Sequence, residues 1–538
     1  MKLFGNVTFF GRTPLVSSKW GLWNVPSVLL LAVCFSGCGA VSSSSGGTSG
    51  TTTPPGTTGG GSTLTSGSFA FLVGGEDSQK HTIAIAGSVA LDASGNVTGG
   101  EQDYVSHDGA VSPASGDKIT GGKLTTTSNG KGTLTLITNN TALGVGGTET
   151  FSVAIVNSKH AVIAEFDGGA TSSGTMDMQT LSSSGGLAQI NGPYSFTVSG
   201  RHGHQIIEMF GGNITADGAG GLHVKVDQNA SGVITHGSNT GTYTAPDGAG
   251  RGTILSFGGD TLSYYVVNPK VLRLVVTTPG SPHLGSAYAG VTGVSNSVLN
   301  AKFVFTDSSN LSADPVYSAT GLITADGNGH VSGFADVDEN GHATSAPFTG
   351  TYTVDSNGFG SITITPGNTQ DISVLGLYLT DPTINFSDPN SPADAGLCGL
   401  LLDLDSKIPG TGVLILPGSG VNAPTGNFAL SIQTVNTSNE ANAVGVVKIS
   451  GSSVSGTEDI NVLFKTLSSA GQNAGISFSG TLAADTTNAG RFTVPLAVTI
   501  GTTPPTFNFV LYQASNTQII VLEVDLPQYG LGILEQQH

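Results

Sequence analysis

Two histidines and a carboxylate stand close together in the segment RHGHQIIE, where His202, His204 and Glu208 follow an H-x-H-x3-E spacing. Imidazole and carboxylate side chains at this spacing can converge on one transition-metal ion. The glycines that usually flank such a motif are missing, and no second motif supplies a distal histidine. We therefore expect His202 and His204 to be exposed histidines of a turn between strands, and we predict no metal site.

The stretch DVDENG, residues 336–341, resembles the beginning of an EF-hand calcium loop. The position that should carry a bidentate glutamate is Pro347, and no helical pattern flanks the stretch. We expect a link between two strands here. The phrases ADGNG and ADGAG are likewise expected to be turns, because Asp, Asn and Gly favour tight connections.

An acidic, proline-containing segment, DPTINFSDPNSPADA, occupies residues 381–395. Its aspartates, Asp381, Asp388 and Asp394, predict a loop that protrudes from the fold. Loops on rigid scaffolds often carry recognition, so this loop is a candidate contact site for a partner. The alternative is a tolerated insertion.

The remaining composition argues against an enzyme and against a nucleic-acid partner. The chain has no Ser-His-Asp neighbourhood, G-x-S-x-G, P-loop or dinucleotide fingerprint, and its acidic residues lie mainly in predicted turns. Asp and Glu number 36 against 18 Lys and Arg, which disfavours binding to phosphates or to an anionic membrane surface. Cys398 lies in the apolar run GLCGLLLDLD and is expected to be a buried core cysteine. We predict no catalytic residues and no cofactor.

The first 38 residues have the features of a targeting segment. Basic residues precede an apolar run at 28–35, which ends in Ser-Gly-Cys at Cys38. The small residues before this cysteine resemble a bacterial lipobox, which implies that Cys38 carries lipid and becomes the mature N-terminus. The alternative is signal-peptidase cleavage after Ala40. Residues 39–65 are rich in Ser, Gly, Thr and Pro and predict a flexible linker.

The residue after the predicted lipidated cysteine, Gly39, bears on location. It is not the aspartate that, by resemblance to enterobacterial lipoproteins, is associated with retention in the inner membrane. The expected location is therefore the outer membrane or the cell surface, with the lipid as membrane anchor. A secreted or periplasmic protein is the alternative.

One hairpin phrase occurs four times in the chain. The copies are GGKLTTTSNGKGTLTL at 121–136, TGTYTAPDGAGRGTIL at 240–255, TGTYTVDSNGFGSITI at 349–364 and SGTLAADTTNAGRFTV at 479–494. Each copy follows an aromatic-rich strand pattern and precedes a pair of apolar strand patterns. The repeat predicts four units, at 66–182, 190–292, 299–417 and 424–538.

Alternation within the hairpin predicts which side chains face the core. In the third copy, pairing Val354 with Ile362 would place Tyr352 opposite Ile364, with all four side chains on one face. Hydroxyl-bearing residues would then occupy the other face. The same alternation recurs in the first and fourth copies.

Seven or eight strands per unit, joined by short turns, predict an all-β fold of four tandem antiparallel units. Up-and-down β-barrels strung along the chain are favoured, because closure removes exposed strand edges, and β-sandwiches are the alternative. The barrel topology is similar to that of lipocalins and avidins by architectural analogy only. Through its hairpin phrases, the pattern of residues 66–538 also resembles uncharacterised tandem β-repeat envelope lipoproteins of Gram-negative soil bacteria.

Three functions follow as hypotheses. The first is a non-enzymatic, lipid-anchored envelope protein that acts as a surface spacer or binds an envelope or extracellular protein or glycan. The second is a barrel that binds a small apolar ligand, which an interior cavity of several hundred Å3 would favour and a packed interior would exclude. The third is an enzyme acting on envelope or extracellular polymer, which polar residues converging in a cleft of one unit would favour.

The predicted lipidation can be tested in growing cells. Metabolic labelling with palmitate should mark the wild-type chain and leave Cys38→Ala unlabelled, because the thiol is the acceptor. Equal labelling of both chains would remove Cys38 as the lipid site.

Overall fold

The computed structural model describes residues 63–106, 114–182, 186–202, 206–257, 259–309, 317–339, 342–365, 372–392, 396–405, 409–417, 423–435, 440–462, 471–499, 505–525 and 529–538. The predicted leader with Cys38 and most of the linker lie outside these ranges, as do His204 and Asp394. No helix within them is both long and apolar enough to cross a membrane.

The described chain consists of antiparallel strands joined mainly by short turns. The strands of unit one are β1 (Gly67–Asp77), β2 (Thr82–Leu91), β3 (Val97–Ser106), β4 (Ala114–Thr126), β5 (Lys131–Thr138), β6 (Thr148–Asn157), β7 (His160–Glu165) and β8 (Ala170–Met178). Those of unit two are β9 (Asn191–His202), β10 (Ile206–Asp217), β11 (Gly221–Ala230), β12 (Val233–Tyr243), β13 (Arg251–Phe257), β14 (Asp260–Asn268), β15 (Val271–Val276) and β16 (His283–Ala289).

The second half of the chain repeats this order. The strands of unit three are β17 (Asn300–Ser308), β18 (Tyr317–Asp326), β19 (His330–Glu339), β20 (His342–Val354), β21 (Phe359–Thr365), β22 (Val374–Leu379), β23 (Cys398–Asp403) and β24 (Thr411–Ile415). Those of unit four are β25 (Gly426–Val435), β26 (Glu440–Ser450), β27 (Ser453–Val462), β28 (Gly471–Thr481), β29 (Ala483–Ala484), β30 (Arg491–Val498), β31 (Thr506–Gln513), β32 (Gln518–Glu523) and β33 (Tyr529–Gln536). Short 3-10 helices at Gly186–Gln189 and Asn296–Val298 precede β9 and β17.

Each unit closes into an eight-stranded barrel because its first strand pairs with its last. In the fourth unit the ring of strands is completed where Phe478 of β28 pairs with Val498 of β30, and the two-residue β29 is an addition to this hairpin. The prediction of four tandem all-β barrels is therefore confirmed. Each barrel encloses its own apolar core.

The third hairpin shows the predicted face but not the predicted register. The four side chains expected on one face are all buried in the core of barrel three. However, Tyr352 pairs with Ile362, so the predicted partnership of Val354 with Ile362 is wrong by two residues. The turn is tighter than expected, because the N–H of Asp355 donates to the carbonyl of Phe359 at 2.8 Å. A shift by two residues preserves the face, since side chains alternate with period two.

The barrels are not strung out as expected, since each packs against the next and the fourth packs against the first. Apolar clusters fill the spaces between barrels. One polar contact recurs at every junction, where an aspartate on the third strand of one unit is bound by the fifth or sixth strand of the following unit. These junction aspartates are Asp103, Asp227, Asp336 and Asp459.

The first two junctions show the contact with and without an arginine. Arg251 donates to both carboxylate oxygens of Asp103 at 2.7 and 2.9 Å, and the hydroxyl of Tyr265 donates to the same group at 2.9 Å. At the second junction the hydroxyl of Tyr378 donates to Asp227 at 2.8 Å. The junction aspartate between units one and two is therefore bound by an arginine of the next unit, whereas Asp227 is bound by a tyrosine of the next unit.

The last two junctions close the ring of barrels. Arg491 donates to both oxygens of Asp336 at 2.7 and 2.9 Å, and the hydroxyl of Tyr512 also donates to this carboxylate. At the junction between units four and one, the ammonium of Lys131 pairs with Asp459. Each barrel is therefore held by two neighbours.

Removal of the junction charge should destabilise the ring. Asp336→Asn removes one of the two carboxylates bound by the guanidinium of Arg491, which is only 13% exposed, and leaves Asp485 as the other. Loss of one partner from a buried ion pair costs up to about 3–5 kcal/mol, and the remaining Asp485 lowers that cost, so the urea midpoint should fall by an amount corresponding to about 1–3 kcal/mol. The matched control is Lys270→Gln, which breaks the more exposed pair of Lys270 with Asp381 and should cost less than about 1 kcal/mol. Equal urea midpoints for the two variants would contradict a structural role for the Asp336 junction.

Candidate functional site

The described residues of the H-x-H-x3-E motif do not converge on one point. His202 is exposed at the end of β9, and its Nδ1 lies 3.0 Å from the hydroxyl of Ser281. Glu208, on β10, accepts a hydrogen bond from Gln228 and lies 3.3 Å from Nε2 of His283. The two motif residues therefore have separate partners.

His202 and Glu208 do share one polar cleft in barrel two. The cleft has a volume of about 480 Å3 and is also lined by His236 and Asp260. Polar residues particular to one unit thus meet in a cleft, as the enzyme hypothesis requires. The hydroxyl paired with His202 belongs to Ser281, which is only 1% exposed and is out of reach of a substrate. The described cleft therefore offers no accessible nucleophile of the Ser-His type.

The stretch that resembles an EF-hand loop is the end of a strand. Residues 336–339 complete β19, and Asp336 is committed to the junction with Arg491. The ADGAG and ADGNG phrases are turns, in which Asp217 and Asp326 each accept two backbone N–H groups of the turn. These carboxylates therefore shape backbone connections.

The acidic loop does not protrude over residues 381–392, contrary to the prediction. Asp388 is buried and accepts a hydrogen bond from the amide of Asn157 in unit one at 2.6 Å. Asp381 pairs with Lys270 of unit two at 2.8 Å. The loop thus joins unit three to units one and two, because hydrogen bonds to neighbouring units compensate the burial of its charges.

Next to this loop lies an ionic cluster to which all four units contribute, here called the central cluster. His160 of unit one places Nδ1 2.8 Å from Asp177 and Nε2 2.8 Å from Glu535 of unit four. Arg273 of unit two also binds Asp177. Burial alone would lower the pKa of His160, but the charges of Glu535 and Asp177 raise it well above the ordinary histidine value. The cluster therefore contains an imidazolium between two carboxylates.

The central cluster also contains the one group of metal-ligand type found among the described residues. One ligand atom each from His160, Asp177 and Asp388 lies within 4.8 Å of the others. Both imidazole nitrogens already face carboxylates at hydrogen-bond distance, and a protonated ring has no lone pair for a metal. We assign the cluster a structural role.

Cys398 is buried, but it packs between barrels three and four and not in a barrel core. Its neighbours in that apolar cluster include Tyr512 and Ile520. Burial raises the pKa of the thiol to about 11. A thiol with this pKa is a poor nucleophile at neutral pH.

The interior of barrel four contains an apolar cavity of about 290 Å3, here called the barrel-four cavity. Its walls include Ile432, Val447, Phe478 and Phe509, and it lies towards the barrel end at which β25 ends and β26 begins. Phe428, which is not part of the cavity lining, packs in the core towards the opposite end of the barrel.

Two carboxyl groups line the barrel-four cavity. They belong to Glu458 on β27 and Glu523 on β32. Burial raises the pKa of Glu458 to about 7 and that of Glu523 to about 8, with neighbouring acids raising the latter further. Among the residues that the structure describes, neither carboxyl has a hydrogen-bond partner. Glu523 is buried and Glu458 is half-buried at the cavity wall, and buried polar groups are normally paired.

The other barrels show what occupies the equivalent space. In barrel three, Asp403 stands at the position of Glu523 and accepts a hydrogen bond from the hydroxyl of Tyr317 at 3.0 Å. In barrel four, the register of the first two strands places Ala441 at the position that Tyr317 has in barrel three. The tyrosine that fills the third barrel is thus replaced by a methyl group, and Thr434, the strand partner of Ala441, lines the barrel-four cavity.

Barrel one fills the same region with polar pairs. Glu165, at the position of Glu523, accepts from the hydroxyl of Ser172 at 3.1 Å. Gln102, at the position of Glu458, donates to Glu149 at 2.6 Å. In barrel four, Gly530 and Phe507 stand at the positions of Ser172 and Glu149 and supply no such partner.

No protein-family model matches the chain, and no curated protein matches it. Solved structures with some similarity include isotype 1 transferrin binding protein B from serogroup B Neisseria meningitidis, with 9% identity, a TM-score of 0.16 and coverage of 71% of this chain and 85% of that chain. A mutant of the same kind of protein from Haemophilus parasuis Hp5 has 8% identity, a TM-score of 0.13 and coverage of 86% and 67%. At these TM-scores the likeness carries no conclusion about this chain.

Because several buried carboxyl groups have raised pKa values, we expect the free energy of unfolding to fall as pH rises. Burial raises the pKa of Glu149, Asp307 and Glu458 to about 7, whereas unfolding returns each to the range near 4. Between about pH 4 and 7 the folded chain therefore binds more protons than the unfolded chain. As pH rises through this range, each such group lowers the free energy of unfolding by about 1.4 kcal/mol per pH unit.

Urea unfolding followed at about pH 5.5, 7.0 and 8.5 tests this expectation. The urea midpoint should be highest at the lowest of these pH values. The raised pKa of His160 acts in the same direction, because its stabilising charge is lost at high pH. A midpoint that rises steadily towards pH 8.5 would contradict the assignment of protonated carboxyls.

Proposed function

We propose that this chain is a non-enzymatic binding protein whose fourth barrel holds a small, largely apolar molecule. The observation that supports the proposal is the barrel-four cavity, whose lining is apolar except for a few polar side chains that include Glu458 and Glu523. Small-molecule sites in proteins commonly have this composition. Barrel interiors of eight strands are wide enough for one small ligand.

The packing of the barrels disfavours the spacer hypothesis. A spacer gains reach when its units extend along a line, whereas here the fourth unit contacts the first through Lys131 and Asp459. A closed ring gives little extension for its chain length. The ring instead supports the cavity-bearing barrel on two sides.

The proposed setting is the outer membrane or the cell surface, with the predicted lipid on Cys38 as the anchor. In that setting the predicted linker, residues 39–65, would connect the barrels to the anchor. A lipid-anchored binding protein can retain a small apolar molecule that has low solubility in water. Binding of an envelope protein or glycan is compatible with this role.

Binding of octan-1-ol, a neutral apolar probe, tests the proposal directly. Calorimetric titration of the full chain should show one site, and Ala441→Tyr should weaken binding at least about tenfold. The introduced tyrosine would occupy the cavity as Tyr317 occupies the interior of barrel three. There, Gly410 leaves room for the tyrosine ring, because a side chain at that position would collide with it. The equivalent position in barrel four is also a glycine, Gly530.

Ala441→Tyr should unfold at an equal or higher urea concentration than the wild type, because it fills a cavity. A second variant, Ala443→Leu, narrows the same cavity with a side chain smaller than tyrosine. It keeps the test informative if Ala441→Tyr does not fold. Absence of octan-1-ol binding by the wild type, or unchanged binding in both folded variants, would overturn the proposed function.

A further inference from the structure

The charged side chains of the barrel-four cavity are all acidic. Among the described lining residues, Glu458 and Glu523 are the ionisable groups, and Thr434 and Asn473 add polar atoms. No lysine or arginine belongs to that lining. An anionic ligand would therefore meet carboxyl groups without a compensating cation.

The surroundings of the cavity carry the same sign. Asp525 and Asp338 act on Glu523, and Asp459 acts on Glu458. The base that acts on Glu458 is Lys131, whose charge is already engaged by Asp459. The charges that act on Glu523 are therefore all negative, which attracts cations to that side of the cavity, whereas Lys131 opposes this effect at Glu458.

We propose that the fourth barrel selects small molecules in which a cationic amine is attached to an apolar body. This inference rests on the proposed function, since it names the ligand class of the same cavity. The ammonium donates hydrogen bonds to the carboxyls of Glu458 and Glu523, while the apolar body packs against side chains such as Val447 and Phe509. Glu523, which has no hydrogen-bond partner among the described residues, thereby gains a donor of the kind that Tyr317 and Ser172 provide to the equivalent carboxyls of barrels three and one.

Binding of an ammonium group should release a proton. In the free protein at neutral pH a carboxyl of the pair is protonated, because burial raises the pKa of Glu523 to about 8. The ammonium stabilises the carboxylate, so the carboxyl O–H bond breaks and its proton leaves to solvent while the ligand keeps its own. Affinity for an amine should therefore rise up to about tenfold per pH unit between about pH 6 and 8.

The test compares octan-1-amine, octan-1-ol and octanoate, which share one apolar body. At about pH 8 we expect octan-1-amine to bind at least about tenfold more tightly than octan-1-ol, and octanoate to bind most weakly. Titration in buffers with different ionisation enthalpies should show proton release for the amine and none for the alcohol. The full chain is used throughout.

The double variant Glu458→Gln with Glu523→Gln separates charge from shape. Glutamine resembles the protonated acid, so octan-1-ol binding should persist, whereas octan-1-amine should lose at least about tenfold in affinity and its pH dependence. The matched control is Glu165→Gln, at the equivalent position of barrel one, which should leave amine binding unchanged.

The outcomes distinguish the two proposals. If octan-1-ol binds as tightly as octan-1-amine, or if the double variant retains the amine preference, the amine inference is wrong and the cavity remains a site for neutral molecules. If the wild-type chain does not bind octan-1-ol, the proposed function itself fails and the inference fails with it.

Discussion

A carboxylate buried at each junction between barrels determines how the four units are arranged. Asp103 has no exposed surface, and an unpaired charge in that position would cost several kcal/mol. Ser115 and the N–H of Gly116 bind it within its own unit. The cation that neutralises it, Arg251, comes from the next unit, so the charge is compensated only when the two barrels pack in one orientation. Buried ion pairs add little net stability compared with apolar packing, but they disfavour alternative arrangements. The same contact, with different partners at each junction, turns a linear repeat into a closed ring.

Because outward-facing side chains of the barrel walls form the junctions, the barrel interiors can differ without altering the ring. Barrel three uses the interior tyrosine Tyr317 to bridge Asp307 and Asp403, with hydrogen bonds of 2.6 and 3.0 Å. Barrel four keeps the acid, as Glu523, and replaces the tyrosine by Ala441. The consequence is a cavity within a barrel that is otherwise supported like the others. In each unit the outward-facing residues thus hold the barrels together, and the interior residues can change to form a ligand site.

Strand alternation made the barrels and the interior face of Tyr352 predictable, because period two depends only on neighbouring residues. The ring was not predicted, although two signals for it exist. The seventh strands HAVIAE, VLRLVV, CGLLLD and QIIVLE are buried along their whole length, and runs without alternation indicate burial on both faces. Three hairpin copies also place Lys131, Arg251 or Arg491 directly after a glycine. These signals indicate contacts between units but not which aspartate is the partner. Predicting the cavity from the sequence would require a comparison of Ala441 with Tyr317. That comparison requires the register of strand pairing in barrels three and four.

The acidic residues explain why a cation site would arise in barrel four and not elsewhere. Among the described residues, buried carboxyls are neutralised by an arginine or a lysine, as in Asp103 and Asp459; by an imidazolium, as in Asp177; or by a retained proton, as in Glu165 and Glu523. The first two ways leave no room for an external cation. Among carboxyls that retain a proton, Glu165 is held by Ser172, whereas Glu523 faces a cavity. An incoming ammonium can replace a proton only where space adjoins the carboxyl, and that condition is met in the fourth barrel.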